Sequence, residues 1–160
     1  MPEPMAFVFV VDDDPAVRDA VGFLVSSVGY DYRSCASGAE LLDRLDDTRP
    51  ACIVLDVRLP GVSGLEIQRE LQNRNTSAGV IFITGHGDVP KAVRAMRHGA
   101  IDFLEKPFDD QVLLDRISDA LAASAAALDR SRRTAMIESR LGGLTERERE
   151  IMILMVQGLS

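Results

Sequence analysis

The chain has 160 residues, 46% of them hydrophobic and 27% charged, with a formal net charge of −7; this suits one domain with a full core plus a short remainder. No stretch approaches the roughly 20 apolar residues of a membrane span, and Met1-Pro2-Glu3-Pro4 lacks the basic and apolar regions of a signal peptide. A cytoplasmic protein with no membrane partner is therefore expected, and the negative charge argues against a broad basic face for nucleic acid.

Met5 to Val11 is an apolar run that ends in Asp12-Asp13-Asp14-Pro15, where Asp14 reads as a helix N-cap with Pro at the first helical position. Val17, Val21, Leu24, Val25 and Val28 then recur at helical spacing, and Gly29 closes the helix. A second strand follows at about Tyr30 to Cys35. Ser37 and Glu40 form a capping box for a short helix with Leu41, Leu42 and Leu45 inward. After Pro50 comes Cys52-Ile53-Val54-Leu55-Asp56, an apolar, β-branched run stopped by Pro60-Gly61, which reads as a strand buried on both faces.

Ser63 and Glu66 cap a third helix with Ile67 and Leu71 inward. The fourth strand, Gly79 to Gly85, ends in Thr84. Asp88 can cap a helix carrying Val89, Ala92, Val93 and Met96, with His98 complementing its last turn and Gly99 ending it. Ile101 to Glu105 is the fifth strand, followed by Lys106-Pro107-Phe108 and, from about Asp109, a helix with Leu114, Ile117 and Leu121 as its stripe. Five strands alternating with five helices imply a parallel sheet with right-handed crossovers in a three-layer α/β sandwich. Cys35 and Cys52 fall in strands without metal-ligand spacing and read as reduced core thiols.

Beyond Leu121 an Ala-rich run and a charged run, Asp129 to Arg140, read as a helical linker, on which Leu114, Ile117, Leu121 and Leu128 make only a sparse seam. Gly142-Gly143 breaks the chain, and Thr145-Glu146-Arg147-Glu148 caps another amphipathic helix with Ile151, Leu154 and Met155.

Four of the five strands end in reactive side chains: Asp12 and Asp13, Asp56, Thr84, and Lys106. In an open α/β sheet these ends meet in one crevice. Carboxylates gathered there repel, and a hard divalent cation relieves them; Mg2+ fits because it keeps sites for phosphate oxygens. A Lys and a Thr hydroxyl beside it suit phosphoryl transfer, with Asp56 as the nucleophile. Each residue alone has a plainer reading, such as helix cap, loop lysine or ordinary strand end; the convergence of the set carries the functional one. His86 reads as a loop residue.

With these motifs, Asp12-Asp13, Asp56-Val57-Arg58-Leu59-Pro60-Gly61 with Gly64, Ile83-Thr84-Gly85 and Lys106-Pro107-Phe108, the chain resembles a two-component response regulator of the LuxR/FixJ (NarL/FixJ) type. The resemblance implies a flavodoxin-like, CheY-like receiver that takes a phosphoryl group from a sensor histidine kinase onto Asp56. It implies Mg2+, or Mn2+ on the same oxygens, held by Asp13, Asp56 and the backbone carbonyl of Arg58, with Asp12 acting through water. Thr84 and Lys106 would bind the phosphoryl oxygens, and Thr84 and Phe103 match the family's coupled switch pair.

It further implies homodimerisation on phosphorylation through helix 4, strand 5 and helix 5, with the linker helix as a second element. The domains would be a receiver at 1–122, a helical linker at 123–143 and the start of a LuxR-type helix-turn-helix at 144–160. The recognition helix is missing, so the resemblance implies a truncated chain, with promoter DNA bound only by a full-length parent. Two rivals remain: a Mg2+-dependent phosphatase or phosphotransferase, since other folds also use an Asp nucleophile with Mg2+, Thr and Lys, and an interaction module that keeps the fold but is independent of phosphorylation. Phosphatases of that kind generally carry a second acid two residues past the nucleophile, where this chain has Arg58.

Overall fold

The computed structural model describes residues 6–85, 89–142 and 146–158. The elements run β1 (Phe7–Val11), α1 (Pro15–Ser27), β2 (Asp31–Cys35), α2 (Gly38–Arg44), β3 (Ala51–Asp56), α3 (Gly64–Asn73), β4 (Gly79–Thr84), α4 (Val89–Arg97), β5 (Asp102–Glu105), α5 (Asp110–Gly142) and α6 (Glu146–Gly158). The five strands form one sheet in the order β2-β1-β3-β4-β5, all parallel. This is the flavodoxin-like, CheY-like order expected above, in which strand order reverses at β1 and β3.

Alternation along the central strands divides the core into two layers. Phe7, Phe9, Val11, Ile53, Leu55 and Phe82 join Leu41, Ile67, Leu71 and Ala95 on one face. Val8, Val10, Cys52, Val54, Ile81 and Ile83 join Val21, Val25, Leu113, Ile117 and Ala120 on the other. Val or Leu side chains so buried each contribute about 1.5–3 kcal/mol.

The predicted caps are present: the Asp14 side chain accepts from the Ala16 amide, Ser37 from Glu40, and Ser63 from Glu66. Glu40 completes its box by accepting from the Ala36 amide at 2.7 Å. Both cysteines are buried and unbridged, and burial pushes their thiols above the ordinary range.

Several expected faces differ from the observed ones. Val28 is 51% exposed, because the chain leaves the helix there for the Gly29 turn. In α5 Ile117 and Leu121 are buried as expected, while Leu113 is fully buried and Leu114 only partly so. In α4 the sheet is met by Ala92 and Ala95, both fully buried, while Val93 and Met96 are 43% and 38% exposed. Close approach of the helix selects the small side chains, and a methyl contributes only about 0.8 kcal/mol, so the described side chains of α4 anchor it only lightly by apolar burial. The expectations for Met5, His86, Asp88, Gly143, Thr145 and Leu159-Ser160 lie outside the described residues.

The chain divides into two compact units, Met1–Leu128 and Asp129–Ser160. In the first, the Ala-rich part of α5 is not a solvated spacer: Ser124 and Leu128 are buried, and the Ala51 amide donates to Ser124 Oγ at 3.0 Å. A Cβ at Gly79 would lie 2.8 Å from the Ala120 carbonyl oxygen, so only glycine admits this contact. The second unit comprises the end of α5 and α6, on which Ile151, Leu154 and Met155 are exposed.

Candidate phosphoryl-transfer site

The site stands at the carboxyl ends of β1, β3 and β5. As β1 ends, Asp12 Oδ1 accepts the Asp14 amide at 2.9 Å, which turns the chain into α1, and the Asp12 carbonyl accepts from Arg18 Nη1 at 2.6 Å. As β3 ends, Asp56 Oδ1 accepts the Arg58 amide at 2.9 Å. The turn after it is fixed by Gly64, whose amide donates to the Val57 carbonyl at 2.9 Å. A Cβ there would sit 2.5 Å from the Asp56 carbonyl oxygen and 2.9 Å from Val57 Cα, so α3 reaches the loop this closely only with glycine.

The Lys106 amide donates to the Thr84 carbonyl at 2.8 Å, anchoring the segment after β5. Its Nζ lies 3.2 Å from Asp12 Oδ2 and 3.3 Å from Asp56 Oδ2, bridging the two carboxylates. Oxygens of Asp12, Asp13 and Asp56 all lie within 4.8 Å of one another; Asp12 and Asp56 are buried and Asp13 is exposed. Three hard oxygen donors, one open to solvent, fit a Mg2+-type cation.

Burial holds the Asp56 carboxyl above its ordinary range, and Asp12 reinforces this, against the Arg58 amide and Lys106, which favour the ionised form. Burial pulls the Lys106 ammonium down, but Asp56 and Asp12 overcome that and leave it raised. The resting site is thus a pair of acids bridged by the Lys106 ammonium.

The structure brings Asp12, Asp13, Asp56 and Lys106 together as the sequence predicts. Thr84 is buried on the neighbouring strand, its hydroxyl donating to the Leu104 carbonyl at 3.5 Å, a long and weak bond. Strand alternation puts Asp12, Asp56 and Lys106 on the α1–α5 face, whereas Thr84 follows Val80 and Phe82 on the face that carries α3 and α4, the face against which half-buried Phe103 packs. Arg18 was not singled out from sequence; one arginine in an amphipathic helix carries no signal of its bond to the Asp12 carbonyl. A cavity of about 370 Å3, lined by Ala16, Val17, Ala20, Leu24 and Phe108, adjoins Lys106 and is mostly apolar.

Residues 8–118 match the family described as the response regulator receiver domain. The chain is similar to the transcriptional regulatory protein FixJ of Azorhizobium caulinodans, 44% identical over 160 residues, which are all of this chain and 75% of that protein. It is similar to nodulation protein W of Bradyrhizobium diazoefficiens, 44% identical over 154 residues, 96% of this chain and 68% of that one. Among solved structures, the response regulator StyR superposes with a TM-score of 0.85 at 38% identity, covering 98% of this chain and 79% of StyR. Full-length FixJ from B. japonicum does so at 0.71 and 38%, covering 96% and 76%.

Proposed function

The chain belongs to the response regulator receiver-domain family of two-component systems, and on that premise we propose that Asp56 is its phosphoacceptor. The observation that carries this reading is the buried Asp56 carboxylate, bridged to Asp12 by Lys106 and with oxygens of both Asp12 and Asp13 within 4.8 Å. A carboxylate oxygen of Asp56 attacks the phosphorus of a phosphohistidine on a sensor kinase. The P–N bond breaks, its electron pair stays on the imidazole nitrogen, and that nitrogen takes a proton from solvent, leaving an aspartyl phosphate. Water later reverses the modification slowly at the same phosphorus, which makes this a signalling protein more than a metabolic enzyme.

Asp12, Asp13, Asp56 and the backbone carbonyl of Arg58 would hold Mg2+ (Mn2+ suits the same oxygens), which supplies charge neutralisation for the phosphoryl oxygens. Lys106 exchanges a carboxylate for a phosphoryl oxygen. Thr84 gives up its 3.5 Å bond to Leu104 at small cost and turns to the new anion. Phe103, half-buried beside it, follows into the vacated space, and the face formed by α4, β5 and α5 is remodelled for homodimerisation. The apolar cavity beside Lys106 suits a protein donor better than a free phosphomonoester, which disfavours the phosphatase reading.

Residues 1–122 would act as receiver, 123–143 as linker and 144–160 as the opening of a helix-turn-helix, so that promoter DNA is bound by a longer parent protein. Incubation with Mg2+ and an acyl phosphate donor should label the parent chain and leave Asp56→Asn unlabelled; equal labelling of the two refutes the assignment. Sustained turnover of a small phosphomonoester would support the phosphatase instead.

A further inference from the structure

Gln68 is an anomaly on α3: a polar side chain only 3% exposed in a helix whose other buried side chains are Ile67 and Leu71. Its Nε2 donates to the Ala95 carbonyl at 2.9 Å and to the His98 carbonyl at 3.2 Å, across 27 and 30 residues of sequence. Gln72, one turn later, donates to the same His98 carbonyl. The Ala95 carbonyl also accepts the His98 and Ala100 amides, at 3.2 and 3.1 Å, as the chain leaves α4, and the His98 carbonyl lies just past the last turn, where helix carbonyls run out of intrahelical donors. Two α3 amides therefore fasten the end of α4.

The fastening matters because the described side chains of α4 bring little apolar surface to the core. Among the described residues of α4, the side chains that meet the core are the methyls of Ala92 and Ala95, while Val93 and Met96 project outward. Beyond it, the Ile101 amide returns to the sheet at the Val80 carbonyl, 2.8 Å away. A cavity of about 120 Å3, lined in part by Gln68, Gln72, Arg94 and His98, gives water a route to the carbonyls once the amides leave.

We propose that Gln68, assisted by Gln72, is a latch that sets the resting position of α4, and that its release is a required step between the phosphoryl group on Asp56 and the remodelled face. This rests on the phosphoacceptor reading for its physiological trigger. The latch itself is present without it. Gln68 is a positioning residue: it touches neither the carboxylates nor Lys106, and acts through α4. Gln68→Met keeps length and burial while removing both donors.

The test uses the full chain, unphosphorylated, and compares parent, Gln68→Met and the double variant Asp56→Asn/Gln68→Met by amide hydrogen exchange and sedimentation. Exchange of the amides of His98, Gly99 and Ala100 should quicken on the order of tenfold, the effect of losing one or two net hydrogen bonds, while α1, α3 and α5 stay protected. The self-associated fraction should rise in both variants, and Gln68→Met should take phosphoryl from an acyl phosphate faster than the parent. Uniformly faster exchange throughout the first unit, or unchanged α4 amides, overturns the latch. Local release with no gain in association or phosphorylation rate overturns its regulatory role. If Gln68→Met does not fold, Gln72→Ala, at an exposed position, must show the same local pattern at reduced size. Labelling of Asp56→Asn would instead defeat the phosphoacceptor reading, leaving the exchange results to decide the latch alone.

Discussion

Replacing Lys106 by Met removes the one cation between the Asp12 and Asp56 carboxylates while keeping the stem. Each of its contacts, 3.2 and 3.3 Å long, is a gross attraction of about 5 kcal/mol at an effective dielectric constant of about 20. The ammonium is about one-third exposed, and desolvation offsets much of the rest. What remains is the penalty of two buried acids left facing each other, roughly 1–3 kcal/mol at neutral pH. With a slope near 2 kcal/mol per M, the urea midpoint should fall by about 1 M in EDTA, followed by circular dichroism.

The pH dependence has a definite sign. Asp56 is already raised above its unfolded value, so its contribution is most favourable when protonated and is lost as pH rises through the folded-state value. Lys106→Met takes away influences that lower it and raises it further. The deficit against the parent should therefore be largest at neutral pH and shrink as pH falls toward the carboxylate range. Added Mg2+ should stabilise the variant more than the parent, since the ion replaces the missing charge. Equal midpoints in EDTA at pH 7, or a deficit that grows on acidification, would refute this account of the site.

Two further substitutions test the scaffold. Gly64→Ala drives a methyl to 2.5 Å from the Asp56 carbonyl oxygen, and backbone cannot yield cheaply; a loss of about 1–3 kcal/mol in urea titration is expected, together with weaker Mg2+ binding and slower labelling because the Asp56 turn is displaced. Ser124→Ala strands the buried Ala51 amide and should lower stability by about 1–3 kcal/mol while leaving the labelling of Asp56 intact; unchanged stability would show that water or another acceptor reaches that amide.

The strands and the site were legible because their signals are local. A β-branched run such as Ile53 to Leu55 can only be buried, and Asp12, Asp56 and Lys106 stand where such runs stop. Helix faces were less legible, since periodicity counts large apolar residues and packing selects by fit. In α4 it named Ala92, which is buried, but also Val93 and Met96, which stand largely outward, and it passed over Ala95; in α5 it named Leu114 where Leu113 is the more buried. Polar side chains with distant partners were invisible: Gln68 looks like any surface glutamine and Ser124 like a break in an alanine run, because Ala95, His98 and Ala51 meet them only in the fold.

The division of the central strands between two faces separates two ways of reaching the site. The acids and Lys106 rise above the layer of α1 and α5, while Thr84 and Phe103 share a layer with α3 and α4. Substitutions on the α3–α4 side therefore act on the site mainly through Thr84, while those on the α1–α5 side act on the acids and Lys106 directly.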